Sequence, residues 1–215
     1  NRHCEVNNLH NYHQSAYKAF HSTETALVRV QNDVLQAVDK HGAANLVLLD
    51  LSAAFDTIDH EMLLTTLDNH FGVRGTAKAW FSSYLQNRHQ TAHLQGVKSE
   101  KQELSYGVPQ GSVLGPMLFT AYTKPLASRD LNHHFYADDS QIWLAFNPRY
   151  QISIVNTTNW AEQCLIDIKC WMDSHYLKMN TSKTEVLVIS TPHLQRSLNL
   201  QSIKLTISDE TVETS

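Results

Sequence analysis

No apolar run in this 215-residue chain approaches the ~20 residues needed to cross a bilayer, so no transmembrane helix is expected. The amino terminus has neither the basic nor the apolar region of a secretory signal. Cysteine is scarce: Cys4, Cys164 and Cys170 make no disulfide framework, and we read them as reduced in an intracellular protein. In that setting the sequons at Asn156 and Asn180 carry no meaning. Charged residues are few at 18 %, but 42 % hydrophobic residues exclude a disordered chain and suffice for a full core, in one large or two small domains. There is no internal repeat and no low-complexity tract. The shortage that matters is of basic residues. Lys and Arg number 17 against 21 acids, giving −4, whereas grip on a phosphate backbone usually draws on clustered cations. Thirteen histidines do little to correct this at neutral pH.

What is present is a concentrated acidic chemistry. Phe135-Tyr136-Ala137-Asp138-Asp139-Ser140 sets two adjacent carboxylates inside a strand-like stretch that continues through Ile142, Trp143 and Leu144. Neighbouring anions in a semi-apolar setting repel each other and resist desolvation. A turn between two short strands lets at least one point outward, toward a cation. Most Asp-Asp pairs are solvated turn residues, so a third carboxylate has to make the case. Asp50 ends the run Leu46-Val47-Leu48-Leu49, which predicts a fully buried strand. A carboxylate at such a strand end either opens a turn or meets a ligand. Brought beside Asp138, it makes a two-metal site for phosphoryl chemistry.

Leu49-Asp50-Leu51-Ser52-Ala53-Ala54-Phe55-Asp56-Thr57-Ile58-Asp59-His60 resembles the first catalytic motif of reverse transcriptases from LINE-type (non-LTR) retrotransposons. Gly107 through Pro116 (Gly-Val-Pro-Gln-Gly-Ser-Val-Leu-Gly-Pro) resembles their template and nucleotide-handling loop, and Tyr136-Ala137-Asp138-Asp139 their metal-binding hairpin. Leu177-Lys178-Met179-Asn180 through Lys183-Thr184-Glu185 resembles the segment that follows. The motifs stand in the family's order and cover the chain from about 14 to 189.

The resemblance implies an α+β polymerase palm: a small antiparallel sheet carrying the carboxylates, helices packed on one face, and part of the fingers. It implies partial fingers in 1–45, palm with inserted fingers elements in 46–190, and an edge strand or a connection toward a thumb in 191–215. Mg²⁺, with Mn²⁺ as a substitute, is expected on Asp50, Asp138, the Leu51 carbonyl and, less directly, Asp139. Ser52, Ala53 and Ala54 let backbone approach a triphosphate, and Phe55 falls at the gate that excludes a ribose 2′-OH. The bland reading of Phe55 is a core residue. Gln110 and Gly111 are expected near the incoming nucleotide and template, and Lys183 near departing pyrophosphate. Partners would be an RNA template, a DNA primer and dNTPs, in nucleus and cytoplasm without membrane attachment. The alternative is a retroelement remnant that only binds nucleic acid. The chain opens at Asn1 without methionine and stops soon after the fourth motif, so a fragment is expected.

Elsewhere the pattern predicts packing. Ser22 caps a helix whose apolar face is Leu27, Val30, Val34 and Val38, stopped by Gly42. Helices follow through Met62, Leu63 and Leu67, and through Ala77, Trp80, Phe81, Tyr84 and Leu85, with strands over 91–106. Another is expected over 113–126, and a long one over 151–174 burying Trp160, Cys164, Ile168, Trp171 and Met172. Strands are expected at 186–189 and through Ile203, Leu205 and Ile207. Cys4, His10, His13 and His21 match no familiar zinc spacing.

Overall fold

A computed structural model describes residues 2–128, 132–198, 204–207 and 210–213. The principal elements are α1 (Thr23–His41), β1 (Ala43–Leu49), α2 (His60–Phe71), α3 (Gly75–Leu85), α4 (Gly115–Tyr122), β2 (His133–Tyr136), β3 (Asp139–Phe146), α5 (Gln151–Ser174) and β4 (Glu185–Ser190). They group into two compact units: Asn11–Ser52 with Leu126–Ser215, and Asn1–His10 with Ala53–Pro125.

The first unit is built on an antiparallel sheet of order β4-β1-β3-β2. Leu46 of β1 faces Leu187 on one side and Trp143 on the other, so β1 is interior. Val30, Val34 and Val38 of α1 pack on Ala44, Leu46 and Trp143. On the opposite face, Ala43, Phe146 and Val188 receive Ile154 of α5. Helices therefore cover both faces of the sheet where one had been expected. That is why β1 reads as an unbroken apolar run: a strand covered on both sides has no solvent face to alternate with. Each buried valine contributes roughly 1.5–2 kcal/mol of gross burial to this core.

The boundaries of α1 follow its sequence. The Ser22 hydroxyl accepts from the Thr25 amide at 3.3 Å, and the Thr25 hydroxyl accepts from the Ser22 amide at 2.8 Å. Gly42 closes the helix at φ 103°, its amide bonded to the Val38 carbonyl. The buried stripe departs from the expected one at one position, however: Ala26 is buried and Leu27 lies 68 % exposed. The same happens in α5, where Ala161, Leu165, Ile168 and Met172 are buried and Trp160 is exposed. Three of the four expected α1 positions and Ile168 and Met172 of α5 are buried as expected; the shift is confined to Leu27 and Trp160, whose neighbours Ala26 and Ala161 are covered instead. The expected helix over 113–126 is shorter, α4 ending at Tyr122 before a 3₁₀ turn over Lys124–Ser128. Pro125 accounts for the break, since it has no N–H to donate to the Ala121 carbonyl and continue the α-helical bonding. Strand Lys204–Ile207 pairs with Glu210–Glu213 as a two-stranded ribbon; Ile203 lies outside the described residues.

In the other unit, α2 packs against α3 and α4, with Leu63, Leu67, Phe71, Leu85, Phe119 and Tyr122 buried. Trp80 stays 53 % exposed. The expected strands form two ribbons, Arg88–Gln90 with Gln102–Leu104 and His93–Leu94 with Val97–Lys98.

One buried histidine makes the sheet unit sensitive to acid. His134 on β2 is 1 % exposed, and neither ring nitrogen has a hydrogen-bond partner. Burial, then the charges of Arg29 and His13, holds its pKa down at about 4, with Asp33 opposing and His133 adding slightly. The unfolded chain takes up this proton near 6.5 and the folded chain only near 4, so the unfolded state binds more protons between those values. Stability is full above about 6.5 and is lost as pH falls toward 4, on the order of 3 kcal/mol in all. His13 is also held low by burial and by His133, and adds in the same direction. Thermal melts at pH 7 and pH 4.5 should differ by several degrees, and His134→Phe should shrink that difference.

Candidate active site

The carboxylates gather where β1 ends. In the β1–β3 register Leu49 faces Ser140, so Asp50 comes one step beyond, at the level of Asp139. Asp138 and Asp139 are delivered by the β2–β3 hairpin, whose Tyr136↔Asp139 pair leaves a two-residue connection, Ala137-Asp138. Such a tight connection needs positive φ at its first central residue. Ala137 supplies it at φ 56°, in the left-handed region that side chains disfavour. The Gln14 side chain sits beside this turn, bonded to both the N–H and the C=O of Ala137.

Like charge is concentrated here. Burial, then Asp138, then Asp50 push the Asp139 carboxyl above its ordinary range. The Tyr17 phenol is raised as well, by burial first and by Asp138 second. The only cation in reach among the described residues' ion pairs is Lys183, whose Nζ lies 3.7 Å from Asp50 Oδ2. Its backbone turn, Thr181–Lys183, is tied to the same strand end: the Asn180 amide donates to the Asp50 carbonyl at 2.9 Å. Leu51 and Ser52 pair with Met179 and Lys178. Asp50, Leu51, Ser52, Asp138, Asp139 and Lys183 thus share one unit.

The donor set suits a hard divalent ion: carboxylate oxygens under mutual repulsion, with the Asp139 carboxyl raised above its ordinary range. Among the described residues no three His, Cys, Asp or Glu side chains close into a ready cage. Ions of the Mg²⁺ type are ordinarily held by one or two carboxylates and completed by water and substrate phosphate.

The remaining predicted residues lie in the other unit and form a second arrangement. Ala53 turns the chain at φ 50°, and the Asp56 amide bonds to its carbonyl at 2.9 Å. Ala54 is buried. Phe55 is half-buried and stacks on Phe119, with ring centroids 4.6 Å apart and planes at 25°. The 107–116 loop is laced onto this stretch. Gly107 donates to Ile58 O at 2.8 Å and Val108 to Phe55 O at 2.9 Å. Gln110 Nε2 donates to Asp56 Oδ1 at 2.8 Å, which gives Asp56 a role sequence reading did not assign. Gly111 follows at φ 73°.

Gly107 is irreplaceable on two counts. Its φ is +84°, and a Cβ there would lie 2.8 Å from the Asp56 carbonyl oxygen. Gly107→Ala should cost about 2–3 kcal/mol, from strain plus a backbone clash. Gly111→Ala meets nothing within 4 Å and should cost about 1 kcal/mol, from its φ alone. Urea midpoints of the two variants check the ranking.

Gln14 and Tyr17 are also hard to foresee: nothing local to residues 11–20 marks them as part of the acidic hairpin's surroundings.

The sequence profile described as "Reverse transcriptase (RNA-dependent DNA polymerase)" matches residues 2–208. Among curated proteins the chain is 28 % identical over 183 residues to the probable RNA-directed DNA polymerase from transposon BS of Drosophila melanogaster, across 80 % of this chain and 19 % of that protein. It is 27 % identical over 179 residues to the RNA-directed DNA polymerase from mobile element jockey of the same species, across 79 % and 19 %. The chain therefore spans about a fifth of the length of these relatives. Among solved structures, telomerase from Candida tropicalis with a fragment of telomeric RNA superposes with a TM-score of 0.65 at 10 % identity, over 87 % of this chain and 32 % of that one. The apo telomerase of that species gives 0.60 at 10 %, over 99 % and 38 %. This likeness shows the fold, a polymerase palm with fingers elements.

Proposed function

The chain belongs to the reverse transcriptase family, and we propose that it performs RNA-directed DNA synthesis, transferring nucleotides from dNTPs to a DNA primer on an RNA template. The observation that carries this reading is the placement of Asp50 one register step past Leu49↔Ser140, against a hairpin that presents Asp138 and Asp139. Two Mg²⁺, when bound by Asp50, Asp138 and the Leu51 carbonyl, would supply charge neutralisation for the attacking and leaving oxygens. Asp139 assists less directly, its carboxyl raised by burial, by Asp138 and by Asp50. Lys183, paired with Asp50 at 3.7 Å, holds an ammonium ready to neutralise or protonate pyrophosphate as it leaves. Gln110, bonded to Asp56, offers its remaining amide donor and carbonyl oxygen to nucleotide and template.

Residues 1–45 would then be partial fingers, 46–190 the palm with inserted fingers elements, and 191–215 an edge strand or a connection toward a thumb. Relatives named as transposon polymerases support an RNA template as partner. Among the described residues no helix is long and apolar enough to cross a membrane.

The test is primer extension on an RNA template by a protein carrying this chain, with Mg²⁺ or Mn²⁺ added. Incorporation of dNTPs in template order is expected. Retention of the RNA without incorporation, under every metal condition, would leave the binding-only remnant as the function.

A further inference from the structure

We propose that Gln14 is a positioning residue for the acidic hairpin, fixing the turn that aims Asp138 and Asp139. This rests on the reading of that hairpin as a metal site. The backbone beside Gln14 already pairs with the β2 edge through one parallel bridge. The Phe135 amide donates to the His13 carbonyl at 2.8 Å and the Ser15 amide to the Phe135 carbonyl at 3.0 Å, a parallel bridge of Gln14 with Phe135. Backbone pairing cannot follow β2 around its hairpin. The Gln14 carboxamide continues it: Oε1 accepts from the Ala137 amide at 3.0 Å, and Nε2 donates to the Ala137 carbonyl at 3.1 Å. One side chain thereby exchanges both hydrogen bonds with one residue, as a neighbouring strand would.

The amide is itself held. It is 5 % exposed, and Oε1 accepts a second bond from the Ala16 amide at 2.9 Å. The residue it grips is the one that needs gripping. Ala137 sits at φ 56° without being glycine, and rotation of its peptide would redirect Asp138, the next residue. Glutamine fits this place better than its relatives. Asparagine is one methylene short, and glutamate would lose the donor to the Ala137 carbonyl while adding a fourth anion beside Asp138, Asp139 and Asp50. A neutral amide orients the carboxylates without competing for their cation.

The test uses the full chain, with Mn²⁺ alone as probe and backbone amide exchange as a direct view of the turn. Gln14→Met keeps length and removes every bond. Exchange at the Ala137 amide should quicken at least about tenfold, and Mn²⁺ affinity should fall about 10-fold, the effect typical of losing a partner that orients a metal ligand. Ala137→Gly accepts positive φ at no steric cost. In the Gln14→Met background it should recover much of the Mn²⁺ affinity, a coupling that a merely structural role would not produce. Should Gln14→Met fold poorly, Gln14→Glu retains the acceptor for the Ala137 amide and should keep its protection. Unchanged Ala137 exchange in Gln14→Met, or Mn²⁺ affinity within twofold of wild type despite faster exchange, overturns the proposal. Wild-type Mn²⁺ binding that ignores Asp138→Ala would count against the metal reading instead, and the exchange data would still decide whether Gln14 fixes the turn.

Discussion

Asp138→Ala is expected to lower primer extension by about 10³-fold or more, and Asp50→Ala by a similar factor, in a polymerising protein that carries this chain. Asp139→Ala should cost less. The ranking follows from how the three carboxylates are presented. Asp50 stands at the end of an interior strand clamped between β4 and β3, and Asp138 on the tight β2–β3 turn, so both directions are fixed by backbone. Asp139 begins β3 with its side chain largely in solvent, and partial desolvation with the charges of Asp138 and Asp50 raises its carboxyl. A loss of activity through misfolding is separable from a loss through the site. Removing Asp138 or Asp50 relieves like-charge repulsion in the metal-free protein, so Tm in chelator should be unchanged or higher. Tm falling together with activity would place these residues in the fold and not in the chemistry.

Much of this site is legible in the sequence because its elements are short-range statements. Leu46-Val47-Leu48-Leu49 predicts a buried strand, and the Asp-Asp turn predicts a hairpin; both stand, and β1 with β3 form the centre of one sheet. Ser22 and Gly42 mark α1 because caps act within four residues. Helix faces are less legible. Leu27 and Trp160 score as core by apolarity, yet they are exposed while their neighbours Ala26 and Ala161 are buried, because apolarity alone does not fix which edge of a helix face is covered. Gln14 is the hardest to foresee. Its meaning resides in a partner 123 residues away, and its own neighbourhood is polar and aperiodic. Asp56 stood inside a recognised motif and still went unassigned, since its role is to hold Gln110 across the loop.

Phe55→Ala should admit ribonucleotides, lowering the preference for dNTP over rNTP by roughly 10–10²-fold. A steric gate works only if the ring cannot swing aside. Phe55 meets that condition: it stacks on Phe119 with centroids 4.6 Å apart, and Phe119 is fully buried. The main chain is held as well, since the Phe55 carbonyl accepts from the Val108 amide at 2.9 Å. Phe55 is only partly covered, so it is neither a plain core residue nor a loose surface one. Truncation to alanine removes that stacking and should also cost about 2 kcal/mol of stability, below the range for a fully buried phenylalanine. Phe55→Val retains part of the packing and should relax sugar selection at a smaller cost. The two readouts separate the rival roles. A gate predicts that rNTP incorporation rises in both variants while dNTP incorporation on the same template changes little. If both variants lose stability and the sugar preference stays where it was, Phe55 serves the core through Phe119 and sugar selection belongs to another residue.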